Sequence, residues 1–307
     1  MRGRVMKSTG SWYILQSDQG IVNARLRGKF KQEDLKLTNP VSVGDWVEWD
    51  FEDQQETAVI TEIQPRENYI IRKSTRKQQF SHILASNIDQ AFLVITIKDP
   101  RTSLGFIDRF LVSTESFRTP AFLLVNKIDT LGKPKDLEYL GLIREIYEPL
   151  GYPVLEISAL SQEHLANELS PLLSGKTTLL AGHSGVGKST LLNRLIPDAN
   201  QATRSVSKFT SKGVHTTTFA EMFPFEKSGY LIDTPGIKEF GILDIEDQEL
   251  SHYYVELRKY LGRCKYHNCK HVNEPGCEVL QALDRGEIHP YRYENYLNIL
   301  FEEDTHR

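Results

Sequence analysis

The chain has 307 residues, of which 39% are hydrophobic and 25% charged, and its formal net charge is −4. This length predicts two or three domains, and the ordinary globular balance excludes wholesale disorder. No apolar run approaches the roughly 18 residues that span a bilayer, no secretory signal is recognisable, and the acidic sum excludes a protein that binds nucleic acid by bulk positive charge. Only three cysteines occur. Their odd number excludes a disulfide framework and leaves a metal site or free thiols in a reducing cytoplasm.

Short β-rich stretches separated by turn signals fill the N-terminal part of the chain. About five such strands in ~70 residues are typical of a small Greek-key barrel such as an OB-fold. Basic residues alternate over 25–31, so an extended chain there would carry positive charge on one face. Residues 66–88 show little periodicity and are predicted to be a connector. The strands are predicted at Ser11–Gln16, Gly20–Leu26, Trp46–Phe51 and Thr57–Ile63.

From residue 87 onward, apolar strand-like runs alternate with helical stretches. This texture predicts a mostly parallel sheet covered on both faces by helices. After residue 241 the pattern becomes helical, with the cysteines in its middle. We therefore expect a barrel over 1–75, an α/β domain over 76–242 and a helical domain over 243–307. The α/β strands are predicted at Ala91–Ile97, Ala121–Val125, Val154–Ile157, Thr178–Ala181, Thr218–Phe223 and Gly229–Ile232, and its helices at Ile107–Ser116, Leu137–Leu150 and Lys188–Leu195.

The strongest motif lies between a predicted strand and a predicted helix and fits G-x-x-x-x-G-K-[ST], the P-loop pattern. Its glycines let backbone N–H groups point at phosphate oxygens, and the next helix adds its positive N-terminal end. Lys188 is expected to reach the β- and γ-phosphates and Ser189 to coordinate Mg²⁺. A glycine-rich turn that matches by chance is the alternative. The nucleotide-binding residues predicted here are Gly182, His183, Ser184, Gly185, Val186, Gly187, Lys188, Ser189 and Thr190.

The segment Asn126-Lys127-Ile128-Asp129 follows a predicted strand and indicates which base is bound. A carboxylate accepts hydrogen bonds from both N1–H and the 2-amino group of guanine. Adenine offers neither donor, and it would leave the Asp129 carboxylate unpaired, at a cost in binding free energy. Asn126 is expected to fix the loop, and Lys127 to lie along the ring. A solvated loop is the alternative for so short a motif.

Two more segments complete a guanine-nucleotide site. Ser158 and Ala159 follow a strand, where GTPases supply a backbone N–H to guanine O6. Asp233 is expected to hold Mg²⁺ through water, and the N–H of Gly236 to contact the γ-phosphate. Between the P-loop and Asp233 lies a polar stretch that is typical of a switch loop. Its candidates for the second Mg²⁺ ligand are Thr216, Thr217 and Thr218, of which we take Thr217.

The cysteines cluster with a histidine as Cys264-x₄-Cys269-x-His271-x₅-Cys277. Three thiolates and one imidazole suit a closed, tetrahedral, structural Zn²⁺ site. His267 is an alternative fourth ligand, and three buried reduced cysteines are the alternative without metal. Basic residues surround the cluster over 258–270, so the acidic sum conceals two local basic segments that can bind phosphate backbones.

The order of these motifs is unusual, because the guanine-reading segments precede the phosphate-reading ones. A sheet with its termini moved is physically acceptable, since termini commonly lie close together at the surface. With these motifs the chain resembles the circularly permuted GTPases of the RsgA (YjeQ/YloQ) family, and the resemblance covers nearly the whole chain. The segments that carry it are 25–29, 85–90, 213–218, the cysteine and histidine cluster and 289–293. One departure is Val214, where the family leads us to expect a basic residue.

The resemblance implies a fold of three parts: an all-β OB-fold barrel that binds RNA, a circularly permuted α/β P-loop GTPase domain, and an α-helical zinc-binding domain. It implies a hydrolase that converts GTP to GDP and phosphate, is stimulated by the small (30S) ribosomal subunit and acts late in its maturation. The expected cofactors are GTP or GDP, Mg²⁺ and one structural Zn²⁺. The expected partners are the small subunit and its rRNA, with no membrane, and the protein is expected to be a cytoplasmic monomer.

Ile237 follows Asp233–Gly236, where many GTPases carry a glutamine that orients water. Isoleucine cannot hydrogen-bond water, so we expect slow hydrolysis until another group orders the site. The predicted catalytic residues are Lys188, Gly236 and His215. His215 is the candidate for orienting the attacking water, and a histidine that positions the switch or contacts RNA is the alternative. An RNA-binding module that uses the nucleotide only as a conformational latch is the alternative function.

Overall fold

The computed structural model describes residues 1–26, 40–52, 57–73, 81–197, 199, 220–226, 228–234 and 245–301. Its N-terminal part is a barrel of strands that pair in the order β1-β2-β3-β5-β4, with β4 returning to β1. This closed five-stranded ring confirms the predicted OB-fold barrel. Trp49, Leu15 and Val47 are fully buried inside it. The strands are β1 Arg2–Ser8, β2 Tyr13–Ser17, β3 Gly20–Leu26, β4 Trp46–Phe51 and β5 Ala58–Ile63.

Two elements of this region differ from the sequence-based expectations. Strand β1 had no predicted counterpart. The predicted connector over 66–88 is wrong, because β6 (Tyr69–Lys73) and β7 (Ser81–Ser86) form an antiparallel pair within it. Ile70, at 0% exposure, and Ala85 of this pair are buried in the same core as the α/β sheet. The prediction failed because the segment as a whole is polar and basic. Its few apolar residues nevertheless pack into the core of the α/β sheet.

The α/β part continues with six strands in the order β10-β9-β8-β11-β13-β12. The strands from β10 to β13 in this order are parallel to their neighbours, and β12 is antiparallel to β13. The carboxyl ends of β9, β10, β11 and β13 therefore meet at one edge, which we call the nucleotide edge. The strands are β8 Gln90–Ile95, β9 Ala121–Val125, β10 Val154–Glu156, β11 Thr177–Ala181, β12 Glu221–Phe225 and β13 Gly229–Asp233.

Helices cover both faces of this sheet, as the alternating pattern predicts. Each face of the sheet packs in its own apolar cluster. Neighbouring residues of β8 point to opposite faces, so Leu93 belongs to one cluster and Phe92 to the other. Helix α2 ends where Glu148-Pro149 begins a short 3₁₀ turn, because Pro149 has no N–H with which to continue the α-helical hydrogen bonds. The helices are α1 Leu104–Ser116, α2 Pro134–Tyr147, α3 Gln162–His164, α4 Ser170–Leu173 and α5 Lys188–Leu195, with a π-helical turn at Leu165–Leu169 between α3 and α4.

The C-terminal part is helical, as predicted, and it has a separate apolar cluster to which Val112 of α1 also belongs. It contains α6 Val255–Arg258, α7 Glu278–Asp284 and α8 Pro290–Leu300, preceded by a 3₁₀ turn at Leu250–Tyr253. Tyr254 and Tyr296 are fully buried and pack edge to face, so these tyrosines belong to the core. The domain boundaries near residues 75 and 242 remain predictions, since 74–80 and 235–244 lie outside the described residues.

The barrel and the α/β sheet are joined edge to edge. Strand β1 pairs with β12, which makes one continuous eleven-stranded sheet. Arg4 of β1 is buried, and its guanidinium donates to Thr177 Oγ1 and to the carbonyl of Asn87, both at 3.1 Å. Within the described residues, no helix is long and apolar enough to cross a membrane.

Candidate functional site

The P-loop connects β11 to α5 and curls tightly at its glycines. Gly182, Gly185 and Gly187 all have positive φ, at 145°, 86° and 98°. A Cβ on Gly182 would lie 2.4 Å from the carbonyl oxygen of Val94, and one on Gly187 would lie 2.4 Å from Nδ2 of Asn126. Glycine is therefore required at both positions for steric as well as conformational reasons. The result is the tight glycine-rich turn that the motif predicts, with Ser184, Ser189 and Thr190 exposed beside it.

Lys188 and Asp233 set the electrostatics of this turn. The ammonium of Lys188 donates to the carbonyls of Gly182 at 2.7 Å and His183 at 2.9 Å. Burial lowers the pKa of Lys188, and the nearby Asp233 carboxylate opposes that shift. Burial also raises the pKa of Asp233 to about 6, with Lys188 opposing the rise and Glu221 adding to it.

Asp233 ends β13, directly beside the last residues of β11. Its Oδ1 is buried and has no hydrogen-bond partner within the described residues. A buried carboxylate oxygen without a partner is costly unless a ligand satisfies it. A magnesium ion carrying its water molecules would satisfy this oxygen, and Ser189 lies at the start of α5 at the same edge. These residues fit the Mg²⁺ that the motif implies.

Asn126 joins the phosphate-binding and base-reading parts of the site. Its side-chain amide is 2% exposed. Its Nδ2 donates to the carbonyl of Val186 in the P-loop at 2.8 Å, and its Oδ1 accepts from the N–H of Ala159 at 2.9 Å. One side chain thus fixes three loops that follow three different strands.

Lys127 and Asp129 complete the base-reading loop. Lys127 has left-handed backbone, with φ of 65°, and its Nζ donates to the carbonyls of Asp99 and Gly185, each at 2.7 Å. Its alkyl chain therefore extends toward the P-loop. Asp129 is exposed in the 3₁₀ turn Ile128–Thr130, where its carboxylate is accessible to a base.

The Ser158–Ala159 segment lies beside Asn126, as expected, but its amides are already used. The N–H of Ser158 donates to Nδ1 of His164 at 3.0 Å, and that of Ala159 donates to Asn126. Guanine O6 would therefore have to share the Ala159 amide with Asn126. The contact of this segment with guanine stays a prediction.

The segment after β8 contributes contacts that motif reading missed. Asp99 accepts from Lys127, and Pro100 lies closest to Gly185, within 3.4 Å of the place where a Cβ would be. In α1, which follows, the ring of Phe106 stacks on that of His183 with centroids 3.6 Å apart. Nothing in the spacing of these residues marks them, because they match no phosphate- or base-binding pattern.

Several predicted site residues lie outside the described residues. They are His215, Gly236 and Thr217 with its neighbours Thr216 and Thr218. Most of the basic segment 25–31 lies outside them too.

The second candidate site gathers Cys264, Cys269, His271 and Cys277, whose ligand atoms all lie within 4.8 Å of one another. Cys264 Sγ is 3.6 Å from His271 Nδ1 and 3.9 Å from Cys277 Sγ, and His271 Nδ1 is 3.4 Å from Cys277 Sγ. Around a tetrahedral zinc, sulfur–sulfur edges measure about 3.8 Å and sulfur–nitrogen edges about 3.6 Å. The donor set therefore fits Zn²⁺. His267 is not part of this cluster.

Helix α8 holds the loop that carries these ligands. The hydroxyl of Tyr293 donates to the carbonyl of His271 at 2.7 Å, and that of Tyr296 donates to the carbonyl of Lys270 at 2.8 Å. The aromatic residues near the start of this helix differ in exposure. Tyr291 is 47% exposed, whereas Tyr293 packs against the core.

The same helix carries a buried ionic cluster that fixes it to α1. Arg292 pairs with Asp108 of α1 and with Glu256, whose Oε1 lies 2.6 Å from Arg292 Nε. None of these three side chains is more than 2% exposed. Asp108 also accepts from Asn295 at 2.6 Å and from the hydroxyl of Tyr147 at 2.7 Å. The C-terminal part is thereby joined to the α/β part by a fully paired ionic contact.

Comparison with protein-family models gives two matches on this chain. The "RsgA GTPase" model matches residues 63–243, and the "RsgA N-terminal domain" model matches residues 2–60. The first covers more than half of the chain and contains every described residue of the nucleotide edge.

Curated relatives match over the full length. A protein of Cytophaga hutchinsonii named "Small ribosomal subunit biogenesis GTPase RsgA" is 50% identical, with 100% of both chains covered. A protein of the same name from Bacteroides fragilis is 46% identical and covers 99% of this chain and 97% of its own.

Solved structures share the architecture. YjeQ from Thermotoga maritima has a TM-score of 0.75 at 35% identity, with 100% of this chain and 99% of that chain covered. YloQ, described as a circularly permuted GTPase, has a TM-score of 0.71 at 30% identity, with 98% and 94% covered. Together with the permuted order of the motifs around one nucleotide edge, these matches show that the chain belongs to the RsgA family of circularly permuted GTPases.

Proposed function

We propose that this protein hydrolyses GTP when the small ribosomal subunit stimulates it, and that it acts late in maturation of that subunit. The observation that carries the proposal is the position of Asn126, which joins the P-loop to the base-reading segments at one edge. The names of the curated relatives support the ribosomal partner. The proposal places the protein in the cytoplasm, as a monomer that contacts rRNA.

The nucleotide edge supports a division of roles. Asp129 accepts from guanine, and the P-loop amides and Lys188 bind the phosphates, with Lys188 exchanging its contacts to Gly182 and His183 for phosphate oxygens. Ser189, Thr217 and Asp233 hold Mg²⁺, which neutralises charge on the phosphates. The other nucleotide-binding residues are those predicted from the motifs, Asn126, Lys127, Ser158, Ala159, Gly182–Gly187, Thr190 and Gly236.

Hydrolysis needs an in-line water and stabilisation of the charge that develops on the γ-phosphate. We assign the second task to Lys188 and the N–H of Gly236, and the orientation of water to His215. Ile237 lacks a hydrogen-bonding side chain. Turnover is therefore slow until the ribosomal subunit orders His215 and its neighbours.

We also propose one structural Zn²⁺, held by Cys264, Cys269, His271 and Cys277. The support is the match of the separations among Cys264, His271 and Cys277 to the edges of a tetrahedral site, with Cys269 in the same cluster. No fifth donor is needed, so the ion stabilises the loop and takes no part in hydrolysis.

The test measures GTP turnover with and without purified small subunits. We expect a rise of orders of magnitude with the subunit, and little rise for His215→Ala, although this variant binds GTP as the wild type does. A protein that uses GTP only as a conformational latch would show the same slow turnover in both conditions. That outcome would contradict the proposal.

A further inference from the structure

A row of four charged side chains crosses from the barrel to the P-loop. Lys7 on β1 is the register partner of Glu221 on β12, and Glu221 is the register partner of Asp233 on β13. Lys7 Nζ lies 2.6 Å from Glu221 Oε2. At the far end, Lys188 acts electrostatically on Asp233. The row therefore runs cation, anion, anion, cation.

The two carboxylates in the middle face each other across an antiparallel pair. Like charges directly opposite in such a pair destabilise it. Glu221 is 8% exposed and Asp233 is 5% exposed, so water screens their repulsion weakly. Each carboxylate consequently depends on its own lysine. Lys188 has a second task at the phosphates, whereas the described contacts of Lys7 place it on Glu221.

The row lies at the nucleotide edge of the sheet. Because β12 runs antiparallel to β13, the start of β12 lies beside the end of β13, where Asp233 is found. Strand β1 also reaches the opposite edge of the sheet. There the guanidinium of Arg4 donates to Oγ1 of Thr177, the first residue of β11. The barrel is thus held in register by one cation at each edge, and the one at the nucleotide edge is Lys7.

We propose that Lys7 is a positioning residue for the GTP site: it neutralises Glu221, so that Asp233 rather than a pair of repelling carboxylates meets Mg²⁺ and phosphate at this edge. The inference rests on the proposed function in taking Asp233 and Lys188 as nucleotide-binding groups. Since Lys7 belongs to the barrel, a complete GTP site requires the barrel to be seated on β12. Displacement of the barrel therefore weakens GTP binding.

The test measures the affinity of the full chain for a fluorescent, non-hydrolysable GTP analogue with Mg²⁺. Lys7→Met leaves Glu221 unpaired opposite Asp233 and should weaken binding roughly tenfold. Glu221→Gln removes the second carboxylate and should bind as tightly as the wild type or more tightly. The double variant Lys7→Met/Glu221→Gln should recover the wild-type affinity. If the pair only holds the strands together, both single variants bind more weakly and the double variant does not recover.

Controls separate charge from folding. Lys7→Arg keeps the cation and should retain the affinity for the analogue. Arg2→Met removes a charge from an exposed position of the same strand and should leave that affinity unchanged.

If Lys7→Met does not fold, a weakened affinity of Glu221→Gln overturns the inference. Failure of the wild type to prefer guanine over adenine nucleotides would instead overturn the proposed function. Guanine-specific binding with an unaffected Lys7→Met variant overturns only the role of Lys7.

Discussion

Asp129 and Asn126 belong to the same four-residue segment but differ in exposure. Asn126 is buried and bonded on both sides of its amide, whereas Asp129 is exposed at the end of the loop. The first therefore holds the loop and the second is accessible to the base. Substitutions at the two positions should have different consequences, one for loop structure and one for base specificity.

The change Asp129→Asn should exchange the preferred base. The amide nitrogen of asparagine is a donor where the carboxylate was an acceptor, so it repels the 2-amino group of guanine and matches the 2-oxo group of xanthine. Affinity for GDP should fall by at least a hundredfold, about 3 kcal/mol, and affinity for XDP should rise. Competition titrations with GDP, XDP and ADP check this. Equal loss for GDP and XDP would place Asp129 outside the base contact.

At the scale of residues, motifs predicted the positions whose roles are local. The glycines of the P-loop, Lys188 and Asn126 follow strands and Asp233 ends one, and they meet at one edge because the strands are parallel. Arg4 and Lys7 could not be predicted in the same way. Their partners lie 173 and 214 residues away along the chain. A basic residue near the N-terminus is predicted to be exposed to solvent unless the surface that buries it is known.

Among the elements, helix α8 has two contact regions. Tyr293 and Tyr296 bond to the loop that carries the proposed zinc ligands, and Arg292 and Asn295 bond to α1. The helix begins at Pro290, with the side chain of His289 accepting from the N–H of Tyr291 as N-cap. This explains the His289–Tyr293 motif as one that starts, orients and anchors a helix.

Loss of the metal should therefore loosen the helix as well as the loop. His271→Ala should lose zinc and lower the thermal unfolding temperature of the C-terminal part, because a structural zinc contributes directly to folding. His267→Ala is the matched control, since His267 lies outside the cluster, and it should retain one zinc per chain. Metal quantitation by mass spectrometry checks both. Retention of zinc by His271→Ala would contradict the assignment.

The ionic contact of α8 with α1 should be costly to break. Arg292→Met leaves Asp108 and Glu256 buried without a cation and should lower the free energy of unfolding by about 3–5 kcal/mol. Arg144→Met is the control, because Arg144 also pairs with two carboxylates but is exposed; it should cost at most about 1 kcal/mol. Urea unfolding measures both. A similar small loss for the two variants would show that burial does not strengthen the Arg292 contact.

Element prediction succeeded where the hydrophobic pattern was strong. The continuous apolar strands β8, β9 and β11 and the helices after them were found, because buried parallel strands carry long apolar runs. Strand β1 and the β6–β7 pair were missed. Basic residues break up the pattern in β1, and β6 and β7 are short apolar stretches on either side of a polar, basic one. These elements are stabilised by packing on the α/β sheet rather than by their own sequence, and the sequence pattern of one segment does not contain that information.

At the scale of the whole molecule, both outer parts touch elements of the nucleotide site. The barrel pairs with β12 at the strand edge, and the C-terminal part packs on α1. The permuted order of the motifs allows this arrangement, since the segment after Asp233 leads directly into the C-terminal part. The predicted architecture of barrel, permuted α/β domain and helical domain is confirmed. How the parts contact one another could not be predicted, because residues distant in sequence make those contacts.

A path of direct contacts leads from the P-loop to the C-terminal part. His183 stacks on Phe106, and Asp108, two residues further along α1, pairs with Arg292. We expect a change of the P-loop on nucleotide exchange to reach α1 through this stacked pair, since a rigid helix passes such a movement to its far contacts. We expect amide hydrogen exchange over 245–301 to differ between the GDP-bound protein and the protein bound to a GTP analogue.

Phe106→Leu tests the first link of this path. It removes the stacked ring but keeps an apolar side chain at this buried position, so the difference in exchange over 245–301 should shrink while the nucleotide-free protection there changes little. A nucleotide-dependent difference that is undiminished in this variant would show that the signal travels by another route. Identical protection of the wild type in its GDP and GTP-analogue states would show that the C-terminal part does not respond to the nucleotide at all.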